Sequence, residues 1–116
     1  MQKDTTENKT SQHLYPILTT LDLVGGRWKL LIIWILQKKT YRFSELKRQI
    51  PRITQKMLIH QLRELETDGI VNRKVFAQVP PKVEYSLTEF GRSFSPVIRS
   101  INKWAESNIK SRKRKK

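Results

Sequence analysis

Hydrophobic positions at helical spacing divide the first third of the chain into two helices. Between Leu14 and Val24, apolar side chains recur every three or four residues, and Gly25-Gly26 interrupts the pattern. The next stretch, Arg27 to Gln37, is apolar on every side. Its isoleucines favour a strand, but its length favours a helix, so we expect a buried helix at the centre of the fold.

Helix caps and turn signals then predict two helices joined by a short link. Ser44 is a candidate N-cap for a short helix, and Thr54 for a longer one that ends at Gly69. Only residues 50–53 separate the two. The stretch from about 44 to 68 is therefore predicted to form a helix-turn-helix.

The longer helix, 54–68, has an apolar side and a basic side. The apolar side comprises Met57, Leu58, Leu62 and Leu65, and the outer side comprises Lys56, Ile59, His60, Arg63 and Thr67. The cations come first and the acids come at the C-terminal end, an order that opposes the helix dipole. Such a helix is suited to contact a phosphate backbone. The alternative is a solvated amphipathic helix with incidental basic residues.

Beyond Gly69 the pattern changes to alternation, which indicates strands. The segment I-V-N-R-K-V-F-A and the segment Val83–Leu87 are predicted to pair as a β-hairpin, or wing, at about 70–87. The loop from Gln78 to Lys82 forms its tip, and Tyr41-Arg42 is predicted to be a very short strand.

A last helix is predicted from about 88 to 109, with Pro96 bending or splitting it near Ser95. Its apolar residues follow the spacing of a helix-pairing seam, at Phe94, Val97, Ile101 and Trp104. The expected fold is mainly α with a small β-hairpin, an α+β winged helix-turn-helix. It forms one domain, 13–109, between a disordered lead, 1–12, and a basic disordered tail, 110–116.

Charge strengthens the case for a nucleic-acid partner. The net charge is +14, and the tail contributes six of these charges, which leaves +8 for the rest of the chain. A balance this basic predicts attraction to nucleic acid or to an anionic membrane. No amphipathic apolar anchor adjoins the tail, so the membrane is the weaker interpretation.

Several kinds of site are excluded by composition. The absence of cysteine rules out disulfides, thiolate metal sites and thiol switches within this sequence. The two histidines, His13 and His60, are too far apart to predict a metal site, and no cofactor is expected. No nucleophile–base pair or phosphate-binding glycine loop is present, so an enzyme is not expected. Without a signal peptide or a membrane-spanning run, the expected location is the cytoplasm.

Four segments at matching spacing resemble the HxlR-type transcriptional regulators, a MarR-like branch of the winged-helix proteins. They are L-D-L-V-G-G-R-W-K-L-L-I-I-W-I-L, Y-R-F-S-E-L-K-R-Q-I-P-R-I-T-Q-K-M-L, L-R-E-L-E-T-D-G-I-V-N-R and V-P-P-K-V-E-Y-S-L-T-E-F-G. The resemblance implies a homodimer that binds a near-palindromic operator, usually as a repressor and sometimes as an activator. It also implies dimerisation through the N- and C-terminal helices, here through Leu14, Ile17, Leu18, Leu21 and the seam residues.

The chain departs from the family pattern at two positions. Many members have a cysteine before the proline of the first helix, and some sense oxidants through it, whereas this chain has Tyr15 before Pro16. The turn before the second helix is often Pro-Gly-Ile, and here it contains Arg52. An arginine there adds charge where a phosphate should pass, so it should strengthen binding without changing which bases are read.

Candidate DNA contacts follow from placing the 54–68 helix in the major groove and the wing on the adjacent minor groove. Thr54 and Gln55 suit phosphates or base edges, and Gln55 can pair with adenine. Arg63 can pair with guanine, and Lys56 is expected to bind a phosphate. At the wing, the candidates are Gln78 and Lys82, against the alternative of solvated loop residues.

Three further candidates have competing interpretations of similar weight. Ile59 either contacts a thymine methyl group or is an ordinary exposed residue. His60 either bonds a base edge or phosphate, in a pH-sensitive way, or is a plain surface histidine. Ser44 either binds a phosphate or only caps its helix.

The main competing function is a sequence-independent, architectural DNA- or RNA-binding protein, which the basic charge fits equally well. A small-molecule effector could also bind at the dimer interface, with Tyr15, Trp28, Trp34 and Trp104 as aromatic lining. The alternative, simple core and interface packing, is the more common role of such residues.

Overall fold

A computed structural model describes residues 5–109, with side chains from Leu14 onward. In chain order the elements are α1 (Thr5–Val24), α2 (Lys29–Leu36), β1 (Tyr41–Arg42), α3 (Phe43–Gln49), α4 (Gln55–Thr67), β2 (Val71–Phe76), β3 (Lys82–Leu87), α5 (Glu89–Arg92) and α6 (Ser95–Asn108). The strands form one antiparallel sheet in the order β1-β3-β2. The predicted α+β winged helix-turn-helix is confirmed.

Helix α1 starts earlier than the sequence suggested. Residues 5–12 were expected to be disordered, but they are helical, and residues 1–4 lie outside the described part. Adding a residue to an existing helix gains a backbone hydrogen bond without repeating the cost of nucleation, so a polar segment can extend one. At its other end, the Gly25 amide donates to the Leu21 carbonyl at 2.7 Å, and Gly26 takes a φ of 88°. This left-handed conformation ends the helix where the sequence predicted.

The continuous apolar run forms helix α2, as predicted, and this helix is buried along most of its length. Ile32 and Ile33 are fully buried, and Ile35 and Leu36 are nearly so. The helix has only eight residues. No helix in residues 5–109 combines the length and hydrophobicity needed to cross a bilayer.

Helix α3 begins one residue before the predicted cap, which corrects the role of Ser44. The helix starts at Phe43, so Ser44 lies inside its first turn and is exposed. The N-terminal end of α3 is capped instead by Glu45, whose carboxylate accepts a hydrogen bond from the Arg42 amide at 2.9 Å. This hydrogen bond lowers the pKa of Glu45 below its ordinary value.

Helix α4 begins and ends as the sequence predicted. The Thr54 hydroxyl accepts the Met57 amide at 3.0 Å, and Gly69 takes a φ of 76° just after the helix. Leu58, Leu62 and Leu65 are buried in the core. Met57, which helical spacing placed on the same side, is 38% exposed and lies at the edge of the buried face.

An ion pair fixes α4 against the start of α2. Lys29 is only 8% exposed, and its Nζ lies 2.6 Å from Oε1 of Glu64. A buried ammonium requires an acceptor, and the Lys29 hydrogen bond lowers the pKa of Glu64. Because the folded-state pKa is lowered, the contribution of this pair to stability exists above the ordinary carboxyl range and is lost on acidification through the lowered pKa.

The C-terminal segment splits in two, as Pro96 predicted. The Thr88 hydroxyl accepts the Gly91 amide at 2.9 Å and so caps the short helix α5, and Pro96 lies in the first turn of α6. Phe94 lies at this junction and is only 6% exposed. It was assigned to the dimer seam, but its ring belongs to the core of the protomer together with Ile98.

The remaining seam residues and the apolar side of α1 are uncovered. Each of these side chains is 41–60% exposed: Leu14, Ile17, Leu18, Leu21, Val97, Ile101 and Trp104. Both helices belong to the regions that the family resemblance assigns to dimerisation.

The depth of burial along α4 gives a stability prediction. Leu58→Ala should lower the free energy of unfolding by about 2–5 kcal/mol, because it leaves a cavity in a fully buried site. Met57→Ala is the matched control one residue away, and it should cost less than about 1 kcal/mol. Chemical denaturation at one protein concentration measures both, and equal losses would contradict the burial described here.

Candidate nucleic-acid interface

Helix α4 presents one continuous polar surface to solvent. Gln55, Lys56, Ile59, His60 and Arg63 line a shallow depression along its outer side. All of them except Ile59 are exposed, whereas the opposite side of the helix is buried. The cations predicted from sequence therefore do lie together, on the side away from the core.

Residues before α4 extend this surface. Arg52 is exposed in the turn between α3 and α4, and Ser44 is exposed at the start of α3. The Thr54 hydroxyl already accepts a backbone hydrogen bond as the N-cap. The hydroxyl proton remains available to donate to a phosphate or base acceptor, since a hydroxyl can donate while it accepts.

A groove of about 490 Å³ separates the outer side of α4 from the wing. It is lined by Phe43, Gln55, Ile59, Leu62, Arg63, Glu66, Arg73, Val83 and Tyr85. Ile59 is partly buried here, so it is neither the freely exposed residue nor the fully presented apolar contact that the sequence suggested. Arg63 and Arg73 bring two guanidinium groups to one groove, from the helix and from the sheet.

Arg73 is a candidate that sequence reasoning missed. It lies opposite Tyr85 in the β2–β3 ladder, and Tyr85 lies opposite Tyr41 on its other side. Cross-strand partners share a face of the sheet, so Arg73 lies on the same face as the buried residues Tyr41 and Tyr85. The alternation from Val71 to Arg73 to Val75 could have shown that this arginine lies on the same face of the sheet as Val71, although its side chain remains exposed.

The wing holds its lysines more tightly than expected. Lys82 was placed in the tip loop, but it begins β3, with its Nζ 4.4 Å from the centre of the Phe76 ring and 3.5 Å from Oε2 of Glu84. Lys74 also lies over Phe76, at 5.1 Å. Gln78 is exposed in the tip loop, as predicted. The wing therefore has two ammonium groups held on one aromatic ring.

His60 is not a free surface histidine. Its Nε2 lies 3.1 Å from Oε2 of Glu64, the carboxylate whose other oxygen is bound to Lys29. The His60 side chain remains 60% exposed. One acid therefore joins a buried lysine of α2 to an accessible imidazole on the outer side of α4.

The described residues contain no group of three or more side chains that could hold a metal ion. The arrangement is one of hydrogen-bond donors and cations on a helix, with a hairpin beside it. Such a surface can bind an anionic polymer by charge and contact base edges by hydrogen bonds.

Comparisons with known proteins identify this architecture. Residues 23–113 match the HxlR-like helix-turn-helix family model. The HTH-type transcriptional regulator YybR of Bacillus subtilis is 54% identical over 93 residues, which cover 80% of this chain and 74% of YybR. A crystal structure of the HTH-type transcriptional regulator YtcD gives a TM-score of 0.79 at 50% identity, covering 81% of this chain and 96% of that chain. The structure of the redox regulator HypR in its oxidized form gives a TM-score of 0.76 at 54% identity, and the match covers 80% of this chain and 96% of that chain.

The family model spans most of the chain, and the matched region contains α2, the helix-turn-helix, the wing and α6. The relatives are transcriptional regulators, not enzymes. This chain therefore belongs to the HxlR-like helix-turn-helix family of DNA-binding transcriptional regulators.

Proposed function

We propose that the chain acts as a homodimer that binds a near-palindromic operator, with α4 of each protomer in the major groove and each wing over the adjacent minor groove. One observation supports this most strongly: α4 presents its polar side beside the wing, while α1 and α6 expose an apolar surface. A protomer of this kind has one surface for DNA and another for a second copy.

The dimensions of α4 suit such a contact. Its 13 residues span about 20 Å, and the major groove of B-DNA, about 12 Å wide, admits an α-helix. In a symmetric dimer, two such helices meet half-sites separated by about one turn of DNA, roughly 34 Å. A two-fold protein axis then requires a near-palindromic operator.

The contacts divide into reading and positioning groups. Gln55 and Arg63 can form bidentate pairs with adenine and guanine, so we assign base reading to them. Arg52, Lys56 and Ser44 are assigned to phosphates. Gln78 and the paired lysines of the wing are assigned to the minor groove and its borders.

The groove between α4 and the wing receives the DNA strand that separates the two DNA grooves. When a helix lies in the major groove and a hairpin reaches the adjacent minor groove, the sugar-phosphate strand between those grooves must cross the space between the two elements. Arg73 lines that space. We therefore assign Arg73 to a backbone phosphate.

Dimerisation follows from the uncovered side chains of α1 and α6. Seven large apolar side chains exposed by 41–60% are more than an isolated protomer needs to leave in water. The aromatic residues Tyr15 and Trp104 are exposed in the same helices, so a groove between protomers could accept an apolar effector. Trp28, in contrast, packs against the core of its own protomer.

Regulation by a thiol is not part of this proposal. HypR is described as a redox regulator, but the 116 residues here contain no cysteine. We propose a repressor, with activation as the alternative sign, acting on DNA in the cytoplasm.

The proposal is tested by binding to the DNA that flanks the gene, compared with scrambled DNA of equal length, across a salt series. The flanking DNA should stay bound at salt that releases the scrambled DNA, with two protomers per site, because base contacts depend less on counterion release. Release of both along one steep salt line, and no enriched motif from a random pool, would instead support the sequence-independent binder.

Arg73→Ala tests the phosphate assigned to the groove. It should weaken binding to all sequences alike and reduce the log–log salt slope by about 0.9, because one phosphate contact is lost. Lys103→Ala, on the polar side of α6, removes the same charge away from the groove and should leave the slope unchanged. A change of base preference in Arg73→Ala, at constant slope, would contradict the assignment.

Ile101→Glu tests the dimer surface. A carboxylate on this exposed apolar position should shift the protein from dimer to monomer in sedimentation velocity, because its burial without a partner is unfavourable. Asn102→Glu adds the same charge one residue away, on the polar side of α6, and should remain dimeric. Two variants with equal dimer populations would place the interface elsewhere.

A further inference from the structure

We propose that Glu64 fixes the imidazole of His60 as a hydrogen-bond acceptor toward DNA, so that His60 selects adenine or cytosine over guanine or thymine on the strand it faces. Glu64 is the positioning residue, and His60 is the residue that touches the base. This inference rests on the proposed function, since it requires α4 in the major groove.

The carboxylate of Glu64 is ionised and is held in place by Lys29 of α2. Oε1 lies 2.6 Å from the Lys29 Nζ, and that lysine is 8% exposed. The Lys29 hydrogen bond lowers the pKa of Glu64, so the carboxylate has no proton at neutral pH. An ionised carboxylate can only accept hydrogen bonds.

The second oxygen of Glu64 then determines where the imidazole proton lies. Oε2 is 3.1 Å from Nε2 of His60. The carboxylate oxygen can only accept, so a hydrogen bond between these two atoms requires a proton on Nε2. Nε2 must therefore carry the N–H. A neutral imidazole has only one such proton, so Nδ1 is left with a lone pair and acts as an acceptor.

This acceptor is accessible from the DNA side. The His60 side chain is 60% exposed, and it lines the same depression on the outer side of α4 as Gln55 and Arg63. Glu64 follows His60 by four residues, so both lie on one side of the helix. The contact with Glu64 occupies one ring nitrogen and leaves the other for a base.

The base selectivity follows from the groups that line the major groove. Adenine and cytosine present amino donors there, whereas guanine and thymine present carbonyl oxygens. An acceptor nitrogen bonds the amino groups and is repelled by the carbonyl oxygens. Lys56 and Arg63 carry donors alone and have the opposite preference. His60 therefore adds a kind of discrimination that the neighbouring cations do not provide.

The effect on sequence preference should be modest and confined to one position of each half-site. A single neutral hydrogen bond discriminates by roughly two- to tenfold. We expect the full-length protein to enrich A or C over G or T by this factor at that position, on one strand.

Binding-site selection from a random pool at about pH 8 tests the inference. His60→Ala should lose the preference for A or C at that position and keep the rest of the motif. Glu64→Gln should weaken the same preference, because an amide can either donate to or accept from Nε2. Glu106→Gln is the matched control, since it removes an equal charge on the polar side of α6, away from His60; it should retain the preference.

The tautomer itself can be measured without DNA. Long-range proton–nitrogen NMR spectra of the free full-length protein at the same pH should show the His60 proton on Nε2. Glu64→Gln should shift His60 toward a mixture of the two tautomers, and Glu106→Gln should not. Thermal unfolding of each variant shows whether it is folded.

The outcomes separate this inference from the proposed function. A motif that is enriched by the wild type and is identical in His60→Ala would overturn the role of His60 and leave operator binding intact. A proton on Nδ1, or a preference for G or T at the position lost in His60→Ala, would overturn the acceptor assignment. A pool without any motif would remove both the operator-reading function and this inference.

Discussion

The burial of α2 is the constraint on which the rest of the structure depends. Its isoleucines are buried on nearly every side, so α3, α6 and β3 can all pack against one short helix. The same burial takes Lys29, at the first position of α2, out of water. A buried ammonium without a partner is strongly unfavourable, and Glu64 of α4 supplies the partner. The position of α4 is thus coupled to the centre of the core.

This coupling accounts for one of the acids near the C-terminal end of α4. Acids at that end of a helix oppose its dipole, so the dipole does not explain why Glu64 is there. Glu64 has a different role, because one of its oxygens meets a core lysine and the other meets His60. The positive charge of Lys29 beside Glu64 partly offsets the negative charge that this acid places on the outer side of α4.

Local rules predicted much of the fold because they act over a few residues. Thr54 and Thr88 cap the helices that follow them, and Pro96 separates α5 from α6. Ser44 failed as a cap because Glu45 supplied a carboxylate to the same helix end. Phe94 was expected in the dimer seam but lies in the core, since the spacing of apolar residues does not show which of them face the core.

The candidate site was predictable only in part, because its remaining members depend on contacts between distant segments. The cations of α4 followed from helical spacing. The pairing of Lys29 with Glu64 joins two helices that no local pattern connects, and the position of Arg73 opposite Tyr85 depends on the register of the hairpin. Lys82 was assigned to the loop because the hairpin register, which sets it opposite Phe76, is a property of both strands together.

In the proposed complex with operator DNA, affinity and selectivity come from different parts of this molecule. The net charge of +14 attracts any nucleic acid, whatever its sequence, and salt weakens that attraction. Selectivity needs groups whose donors and acceptors have fixed directions, and an exposed lysine has neither a fixed direction nor an acceptor. An imidazole held by a carboxylate has both, and that carboxylate is itself held by a buried lysine. The rigidity of the core is in this way extended to a side chain on the surface, where a hydrogen bond of defined polarity can meet a base.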